Sequence, residues 1–181
     1  MNNIIKASQL ATAAHSGQTR KGKDIPYITH PLTVGLLLAS KNLSEDVVVA
    51  GILHDTIEDT DVTYADIEKE FGKKIAEIVN HVTEQDKNLP WAERKQIALE
   101  HIQDMSEDAL LVKSADVLHN MTDQIEDYKI EGERMYERFN APKEAQLQRY
   151  EKLIAAFEKK LPENPFLPEL KSVFTEFVQI S

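Results

Sequence analysis

An almost wholly apolar run, residues 47–53, is the feature around which the hydrophobic pattern of the chain is organised. Ser44 is a good N-cap residue and two acidic residues follow it, so the run predicts a helix that begins there. A helix that is apolar on all sides is buried, and we therefore expect this one at the centre of the fold. Its predicted C-terminal turns carry four ionisable groups in two pairs spaced four residues apart, so that each pair shares one helix face: His54 with Glu58 and Asp55 with Asp59.

Helical periodicity continues through most of the chain, whereas no segment shows convincing β-alternation, so the pattern predicts an all-α fold. Polar and glycine-containing stretches predict loops over residues 15–24 and 84–88. Thr63 and Asp66 have the spacing of a capping box at a helix start. Helices are expected over residues 3–15, 31–38, from 63 to a break at 72, 73–82, 90–103, 106–128, 132–139, 142–161 and 165–180.

The four ionisable groups at the end of the apolar run have two interpretations. Burying them is costly unless a metal, a counter-charge or water compensates, which favours a metal or acid–base site. Alternatively the helix simply reaches the surface at its end, and this explains Glu58 and Asp59 well. It explains His54 and Asp55 poorly, because they follow apolar residues directly.

Three other places also have a structural and a functional interpretation. His30 lies at the entrance of a predicted helix and is either a structural histidine or a ligand. Asp116 interrupts an apolar helix face and either makes a helix–helix hydrogen bond or binds a metal. Arg20 and Lys21 lie in the 15–24 loop, which is either a solvated loop or an anion clamp, since a guanidinium group can bind a phosphate through two hydrogen bonds.

Composition narrows the class of protein. We expect a single domain over residues 1–181, with residues 162–181 as a C-terminal helical extension. The absence of cysteine excludes disulfides, thiolate zinc sites and cysteine nucleophiles. The net charge of −10 argues against a nucleic-acid partner. Without a signal-peptide core or an apolar run long enough to span a bilayer, we expect a soluble cytoplasmic protein with no membrane partner, and a homo-oligomer is compatible with the sequence.

The ordered set of His30, the His54-Asp55 doublet and Asp116 resembles the HD superfamily of metal-dependent phosphohydrolases. The segments that flank these residues narrow the resemblance to the (p)ppGpp hydrolase domain of Rel/Spo homologues, and residues 82–95 are most similar to the stand-alone small alarmone hydrolases. The resemblance covers about residues 7–157. It implies an all-α, HD-domain multi-helix bundle around a single metal site.

The resemblance also implies a role for each motif residue. The metal ligands would be His30, His54, Asp55 and Asp116, holding one Mn²⁺; the catalytic pair would be Glu58 and Asp59; the substrate-binding residues would be Arg20, Lys21, Tyr27 and Asn120. The implied reaction is attack of water on the 3′-pyrophosphate of guanosine 3′,5′-bispyrophosphate, or of the pentaphosphate, which gives GDP or GTP and pyrophosphate. Because the chain ends at residue 181, we expect a hydrolase without a synthetase domain.

The chain departs from the family pattern at two positions near the expected substrate. The family usually has a basic residue directly after the metal-binding aspartate, where this chain has Val117, and often has arginine where this chain has Thr122. Both departures remove positive charge that could hold phosphates. The alternatives are therefore an HD phosphohydrolase for another nucleotide, such as NADPH or a nucleoside phosphate, a non-catalytic nucleotide sensor, or a helical interaction protein.

Overall fold

The computed structural model describes residues 2–84, 89–139 and 141–180. Within these residues the secondary structure is helical, with an isolated antiparallel bridge between Thr19 and Pro26 and no strand, so the all-α prediction is confirmed. Most of the predicted 84–88 loop lies outside the described residues. The helices are α1 (Asn3–Ala14), α2 (Thr29–Ser40), α3 (Glu45–Leu53), α4 (Thr56–Asp59), α5 (Tyr64–Phe71), α6 (Lys73–Val82), α7 (Trp91–His101), α8 (Glu107–Glu131), a 3₁₀ helix (Gly132–Arg138), α9 (Lys143–Lys160) and α10 (Leu167–Ile180).

The chain divides into two units. The first comprises Met1–Gln85 and Met105–Asp116, and the second comprises Asp86–Asp104 and Val117–Ser181. The boundary falls within α8, directly after Asp116. The prediction of one domain with a C-terminal extension stays a prediction.

Helix α3 is the centre of the first unit, as its apolar sequence predicts. Every residue from Val47 to Leu53 is buried. Helices α1, α2 and α6 all pack against α3, and α5 packs against α6. Helix α5 begins with the predicted capping box, in which Asp66 N–H donates to Thr63 Oγ1 and Asp66 Oδ2 accepts from Thr63 N–H.

Two glycines let α2 and α3 approach closely. A Cβ atom at Gly51 would lie 2.2 Å from Leu38 Cδ1, and one at Gly35 would lie 2.5 Å from Ile52 Cγ1. Both distances are far below van der Waals contact, so a larger residue at either position would force the helices or their side chains to shift. This close approach sets the spacing between the helix that carries His30 and the helix that leads to His54.

The predicted continuation of α3 through residue 59 is wrong. Helix α3 ends at Leu53, and a separate short helix, α4, begins at Thr56. Side chains at the break bind backbone carbonyls at the end of α3: His54 Nδ1 lies 2.8 Å from the Gly51 oxygen, and Thr56 Oγ1 donates to the Leu53 oxygen at 2.7 Å. The ionisable pairs therefore do not stack on one continuous helix, and the His54-Asp55 doublet forms the corner between two helices.

The second unit has its own core, built mainly from α9 and α10. The aromatic side chains of Tyr150, Phe157, Phe166 and Phe177 are almost fully buried there. In the predicted break between α9 and α10, Asn164 Oδ1 accepts a hydrogen bond from Phe166 N–H at 3.0 Å. Helix α7, all of which is described, buries none of its residues and lies at the surface of this unit.

A lipid bilayer sets a minimum length and apolar character for any helix that crosses it. Within the described ranges, no helix meets both requirements.

Candidate metal centre

The first unit brings together the four residues that the sequence proposes as metal ligands. His30 is in the first turn of α2, His54 and Asp55 form the corner between α3 and α4, and Asp116 is on α8. His30, His54 and Asp116 are buried, and Asp55 is partly exposed. Residues as far apart in the sequence as His30 and Asp116 thus meet because α2, the α3–α4 corner and the part of α8 up to Asp116 belong to one unit.

Their potential ligand atoms converge closely. Those of His30, His54 and Asp116 all lie within 4.8 Å of one another. The Nε2 atom of His30 is 3.3 Å from Asp116 Oδ1, and that of His54 is 3.8 Å from the same oxygen. Asp55 joins this group through Oδ2, which lies 3.1 Å from His54 Nε2 and 3.5 Å from His30 Nε2.

The hydrogen bonding of His54 suits a metal ligand. Its Nδ1–H donates to the Gly51 carbonyl at 2.8 Å, which leaves the lone pair of Nε2 directed elsewhere. Nε2 is buried and faces Asp55 Oδ2 at 3.1 Å, but it makes no well-oriented hydrogen bond within the described residues. A buried nitrogen that lacks a well-oriented hydrogen bond is costly, and a cation would satisfy it. Two imidazoles and two carboxylates, with no thiolate, suit a borderline-to-hard divalent cation.

Lys113 was not identified as a site residue from the sequence, but the structure places it against Asp116. Its Nζ donates to Asp116 Oδ2 at 2.9 Å, while Oδ1 of the same carboxylate faces the two histidines. The two oxygens of Asp116 therefore have separate partners. The signal in the sequence was a lysine three residues before the aspartate in an otherwise apolar helix segment, which places both on one helix face.

The electrostatics of the centre favour a positive charge where the histidine nitrogens converge. Burial lowers the pKa of His54, but the carboxylates of Asp55 and Asp116 outweigh it and raise that pKa to about 9. The pKa of His30 is lowered, because burial outweighs the same attraction. Burial would raise the pKa of Asp116, but Lys113 and the histidines hold it well below its usual range.

Tyr27, predicted to bind substrate, donates a hydrogen bond from its hydroxyl to Asp55 Oδ2 at 2.7 Å. Burial and the neighbouring carboxylate of Asp55 raise the pKa of this hydroxyl, so it remains a proton donor. The guanidinium carbon of Arg20 lies 5.6 Å from the centre of the Tyr27 ring, within cation–π range. The structure thus links the basic loop to a proposed metal ligand through one tyrosine.

The predicted acidic pair, Glu58 and Asp59, lies on α4 directly after the corner. Glu58 Oε2 accepts a hydrogen bond from the backbone N–H of Glu84 at 3.0 Å. Burial raises the pKa of the Glu58 carboxyl despite this hydrogen bond. A carboxylate with a raised pKa is a better proton acceptor than an ordinary surface carboxylate.

Gln18 is a second residue that sequence reasoning missed. Its Nε2 donates to the backbone oxygen of Asp59 at 2.8 Å, so its Oε1 accepts from Nδ1 of the buried His15, also at 2.8 Å. Its own carbonyl accepts from Tyr27 N–H at 2.9 Å. Gln18 therefore ties the end of α1 and the basic loop to the end of α4. The loop itself was predicted, and a glutamine between glycine and Arg20 was the available signal.

The remaining predicted site residues have less defined surroundings. Lys21 is exposed in the loop between α1 and α2. Asn120 lies on α8, four residues after Asp116, and belongs to the second unit. Of the two departures from the family pattern, Val117 is only 2% exposed, and Thr122 Oγ1 donates to the Leu118 carbonyl at 3.0 Å.

A family model described as an HD domain matches residues 7–156, which is more than half of the chain. The chain belongs to the HD-domain family. The predicted HD-type bundle is therefore confirmed. The three-residue cluster of His30, His54 and Asp116 is the candidate metal site of this HD domain.

Curated relatives narrow the similarity within the family. The chain is 43% identical over 123 residues to the guanosine-3′,5′-bis(diphosphate) 3′-pyrophosphohydrolase MESH1 of Xenopus tropicalis, covering 66% of this chain and 68% of the relative. It is also 43% identical over 127 residues to the bifunctional (p)ppGpp synthase/hydrolase SpoT of Escherichia coli, covering 67% of this chain but only 18% of that larger protein.

Solved structures agree with the sequence relatives. One, described as a metazoan ortholog of SpoT that hydrolyzes ppGpp, superposes with a TM-score of 0.78 at 28% identity and covers 97% of this chain and 96% of its own. A Listeria monocytogenes protein superposes with a TM-score of 0.74 at 30% identity, covering 83% of this chain and 99% of its own. The expected resemblance to small HD hydrolases is confirmed, and so is the prediction that the chain is a hydrolase of this family.

Proposed function

We propose that this HD-domain protein hydrolyses guanosine 3′,5′-bispyrophosphate at its 3′-pyrophosphate, releasing pyrophosphate and leaving GDP, or GTP from the pentaphosphate. The observation that carries the proposal is the convergence of His30, His54, Asp55 and Asp116 in a chain whose relatives are named for this reaction. The alarmone is thus the proposed small-molecule partner, and the cytoplasm, where such a nucleotide is dissolved, is the proposed location.

The proposed cofactor is one Mn²⁺ ion, held by the two histidines and the two aspartates. When bound, a divalent cation supplies a Lewis acid for the phosphoryl oxygens and lowers the pKa of a coordinated water. The nitrogen and carboxylate donors fit Mn²⁺, and so does the buried Nε2 of His54. The Tyr27 hydroxyl and the Lys113 ammonium group orient Asp55 and Asp116 by hydrogen bonds.

Glu58 is the proposed proton acceptor for the attacking water. Burial raises the pKa of its carboxyl, and the hydrogen bond from Glu84 N–H fixes one of its oxygens, so the other is available for a proton. Asp59 is proposed to assist from the end of α4, where Gln18 holds its backbone. The pair lies one helical turn from the proposed ligands in the corner.

The substrate's phosphates require positive charge to offset the acidic surroundings of the centre. Arg20 and Lys21 are proposed to supply it from the loop, and the contact between Arg20 and the Tyr27 ring restrains the guanidinium group near the Asp55 side of the centre. Asn120 is proposed to donate a hydrogen bond to the nucleotide.

A substrate panel tests the proposed function. Purified protein with Mn²⁺ is incubated separately with guanosine 3′,5′-bispyrophosphate, NADPH and GTP, and the products are separated by ion-exchange chromatography. We expect pyrophosphate and GDP in equal amounts from the bispyrophosphate, and little turnover of GTP. Efficient release of phosphate from NADPH together with an inert bispyrophosphate would assign another substrate to the same centre.

The matched control for this panel is Asp55→Asn, which keeps the size of the side chain and removes its negative charge. We expect it to lose activity because the proposed ligand set loses a carboxylate. Unchanged turnover in Asp55→Asn would show that the reaction does not depend on the proposed centre.

A further inference from the structure

A groove with a volume of about 250 Å³ is formed by α7 and α9 in the second unit. Leu153 and Leu99 give it an apolar floor, since the former is buried and the latter half-buried. Its rim is formed by Trp91 and Arg149, which are half-buried, and by Lys152, which is exposed. None of the residues that line it is among the residues assigned to the metal centre.

The part of α7 that lines the groove contributes no acidic residue. Trp91, Lys95 and Leu99 follow one another at four-residue spacing, so they share the face that lines the groove. Glu93 and Glu100 are rotated by roughly half a turn from Trp91 at about 100° per residue. Glu100 is nevertheless next to the lining, because Gln96 at the edge of the groove donates a hydrogen bond to Glu100 Oε1 at 2.7 Å.

The lining residues of α9 likewise include no acidic residue. Ala145, Arg149 and Lys152 line the groove. Glu144 and Glu151 are rotated by roughly 100–160° from Ala145 and Arg149 at the same helical repeat. As a result, none of the described lining residues is acidic, although the whole chain carries a net charge of −10. A basic groove in so acidic a chain is an electrostatic feature that attracts anions.

The groove also has side chains that suit an aromatic ring and phosphate oxygens. An indole beside an apolar floor provides a surface on which a flat aromatic ring stacks. Arginine and lysine on the opposite helix provide donors for phosphate oxygens. Pockets for small ligands commonly combine an apolar lining with a few polar groups in this way, although their volumes usually begin at ~300 Å³, so part of a ligand would project into solvent.

We propose that the α7–α9 groove is a second, non-catalytic ligand site that binds a nucleoside polyphosphate, with the base on Trp91 and the phosphates at Arg149 and Lys152. The proposal does not depend on which nucleotide the metal centre hydrolyses, and no bond is made or broken in the groove. A site of this kind gives the chain a way to respond to the level of a nucleotide.

Trp91 is the only tryptophan in the chain, so its fluorescence reports on the groove directly. The experiment titrates full-length protein with GTP in the presence of EDTA, which prevents turnover, and follows the quenching of tryptophan emission. We expect a saturable decrease. In Arg149→Glu, the new carboxylate faces the phosphates, and we expect GTP to bind at least ~10-fold more weakly. The absence of saturable quenching in the wild-type protein would overturn the proposal.

Two control variants distinguish binding in the groove from a general effect of charge and from binding at the metal centre. Lys159→Glu makes the same charge change on an exposed part of α9 outside the groove, and we expect the affinity to stay within roughly twofold because distant surface charges are screened. Arg20→Ala changes the metal-centre loop and should leave the quenching intact. If Lys159→Glu weakened GTP binding as much as Arg149→Glu does, the loss of affinity would be due to net charge alone. If Arg20→Ala abolished the quenching, the nucleotide would be bound at the metal centre. Either result would overturn the proposal.

Tripolyphosphate tests whether the base is recognised. It carries the phosphates without a ring, so we expect it to compete with GTP only at much higher concentration. Competition as strong as that of unlabelled GTP would contradict stacking on Trp91 and overturn the assignment to a nucleoside.

Discussion

Each carboxylate of the candidate metal centre is held by a side chain that is not itself a proposed ligand. The hydroxyl of Tyr27 binds Asp55, and the ammonium group of Lys113 binds Asp116 through the oxygen that does not face the histidines. Such partners fix the direction in which a carboxylate presents its lone pairs, and they tune metal affinity even though they do not touch the ion. At the scale of single residues, the centre is therefore defined by six side chains rather than four.

Tyr27→Phe distinguishes a role of Tyr27 in orienting Asp55 for the metal from a role in binding the substrate. The change removes the hydrogen bond to Asp55 but keeps the ring that contacts His15 and Arg20. We expect Mn²⁺ to bind roughly 10-fold more weakly by isothermal titration calorimetry, since the loss of an outer partner typically costs 10–100-fold. A variant with unchanged metal affinity and a higher KM would assign Tyr27 to the substrate instead.

Glu58→Gln tests the proposed proton acceptor. The amide keeps the size of the side chain but accepts protons poorly, so we expect kcat to fall by at least ~100-fold while Mn²⁺ affinity stays close to that of the wild type. Retention of most of the wild-type kcat would transfer the role to Asp59 or to another group.

The raised pKa of Glu58 also predicts how kcat depends on pH on the acid side of its pH profile. The carboxylate accepts a proton only while it is ionised, so kcat of the wild-type protein should fall as the pH falls through that pKa. Because burial raises the pKa, the fall should begin at a higher pH than for an ordinary glutamate. In Glu58→Asp the limb should persist at a shifted pH; an identical limb in Glu58→Gln would show that another group causes it.

Sequence reasoning identified the residues that converge at the centre but not all of their partners. The apolar pattern drew attention to His54, Asp55 and Asp116, because burying ionisable groups is costly, but it left a structural interpretation open for His30 and Asp116. The resemblance to the HD superfamily joined the four residues into one set. Gln18 and Lys113 were missed, because a glutamine in a loop and a lysine on a helix are ordinary at the level of sequence. Their importance depends on hydrogen bonds, such as that to Asp59, which only the folded chain reveals.

At the scale of elements, helix existence was predictable and the corner between α3 and α4 was not. Helical periodicity located the helices of the described residues apart from α4, which it merged with α3, and the capping box at Thr63 was correct because its hydrogen bonds are local. The corner depends on side chains that bind the carbonyls of Gly51 and Leu53 instead of leaving the helix to continue. Helical periodicity gives no sign of these hydrogen bonds.

Gly51→Val tests the close approach of α2 and α3. A Cβ atom at Gly51 would lie 2.2 Å from Leu38 Cδ1 in a fully buried position, so we expect overpacking to lower the free energy of unfolding by ~1–3 kcal/mol. Denaturant unfolding measures this change.

The matched background for that experiment is Leu38→Ala, which removes the atoms that a valine would meet. If the clash is the cause, Gly51→Val should cost less in this background than in the wild-type chain, and the difference is the interaction energy of the pair. Equal costs in the two backgrounds would mean that the glycine is required for another reason.

At the scale of the whole molecule, the chain is acidic, and two of its carboxylates converge with two histidines at a place that favours a positive charge. The net charge of −10 argues against a general nucleic-acid surface, but it gave no sign that Asp55 and Asp116 would raise the pKa of a buried histidine to about 9. That shift requires burial and proximity, which exist only in the fold. The same carboxylates favour a divalent cation, and all four proposed ligands belong to the first unit.

The central claim is that one divalent cation at these four residues makes the chain a pyrophosphohydrolase. The most direct measurement strips the protein with a chelator, restores Mn²⁺ in small steps and records pyrophosphate release from guanosine 3′,5′-bispyrophosphate beside the number of ions bound per chain. We predict no release from the stripped protein, activity that rises in proportion to occupancy and levels off at one ion, and neither high-affinity binding nor release in His54→Ala. Full activity in the stripped protein, or unchanged binding and release in His54→Ala, would contradict the account.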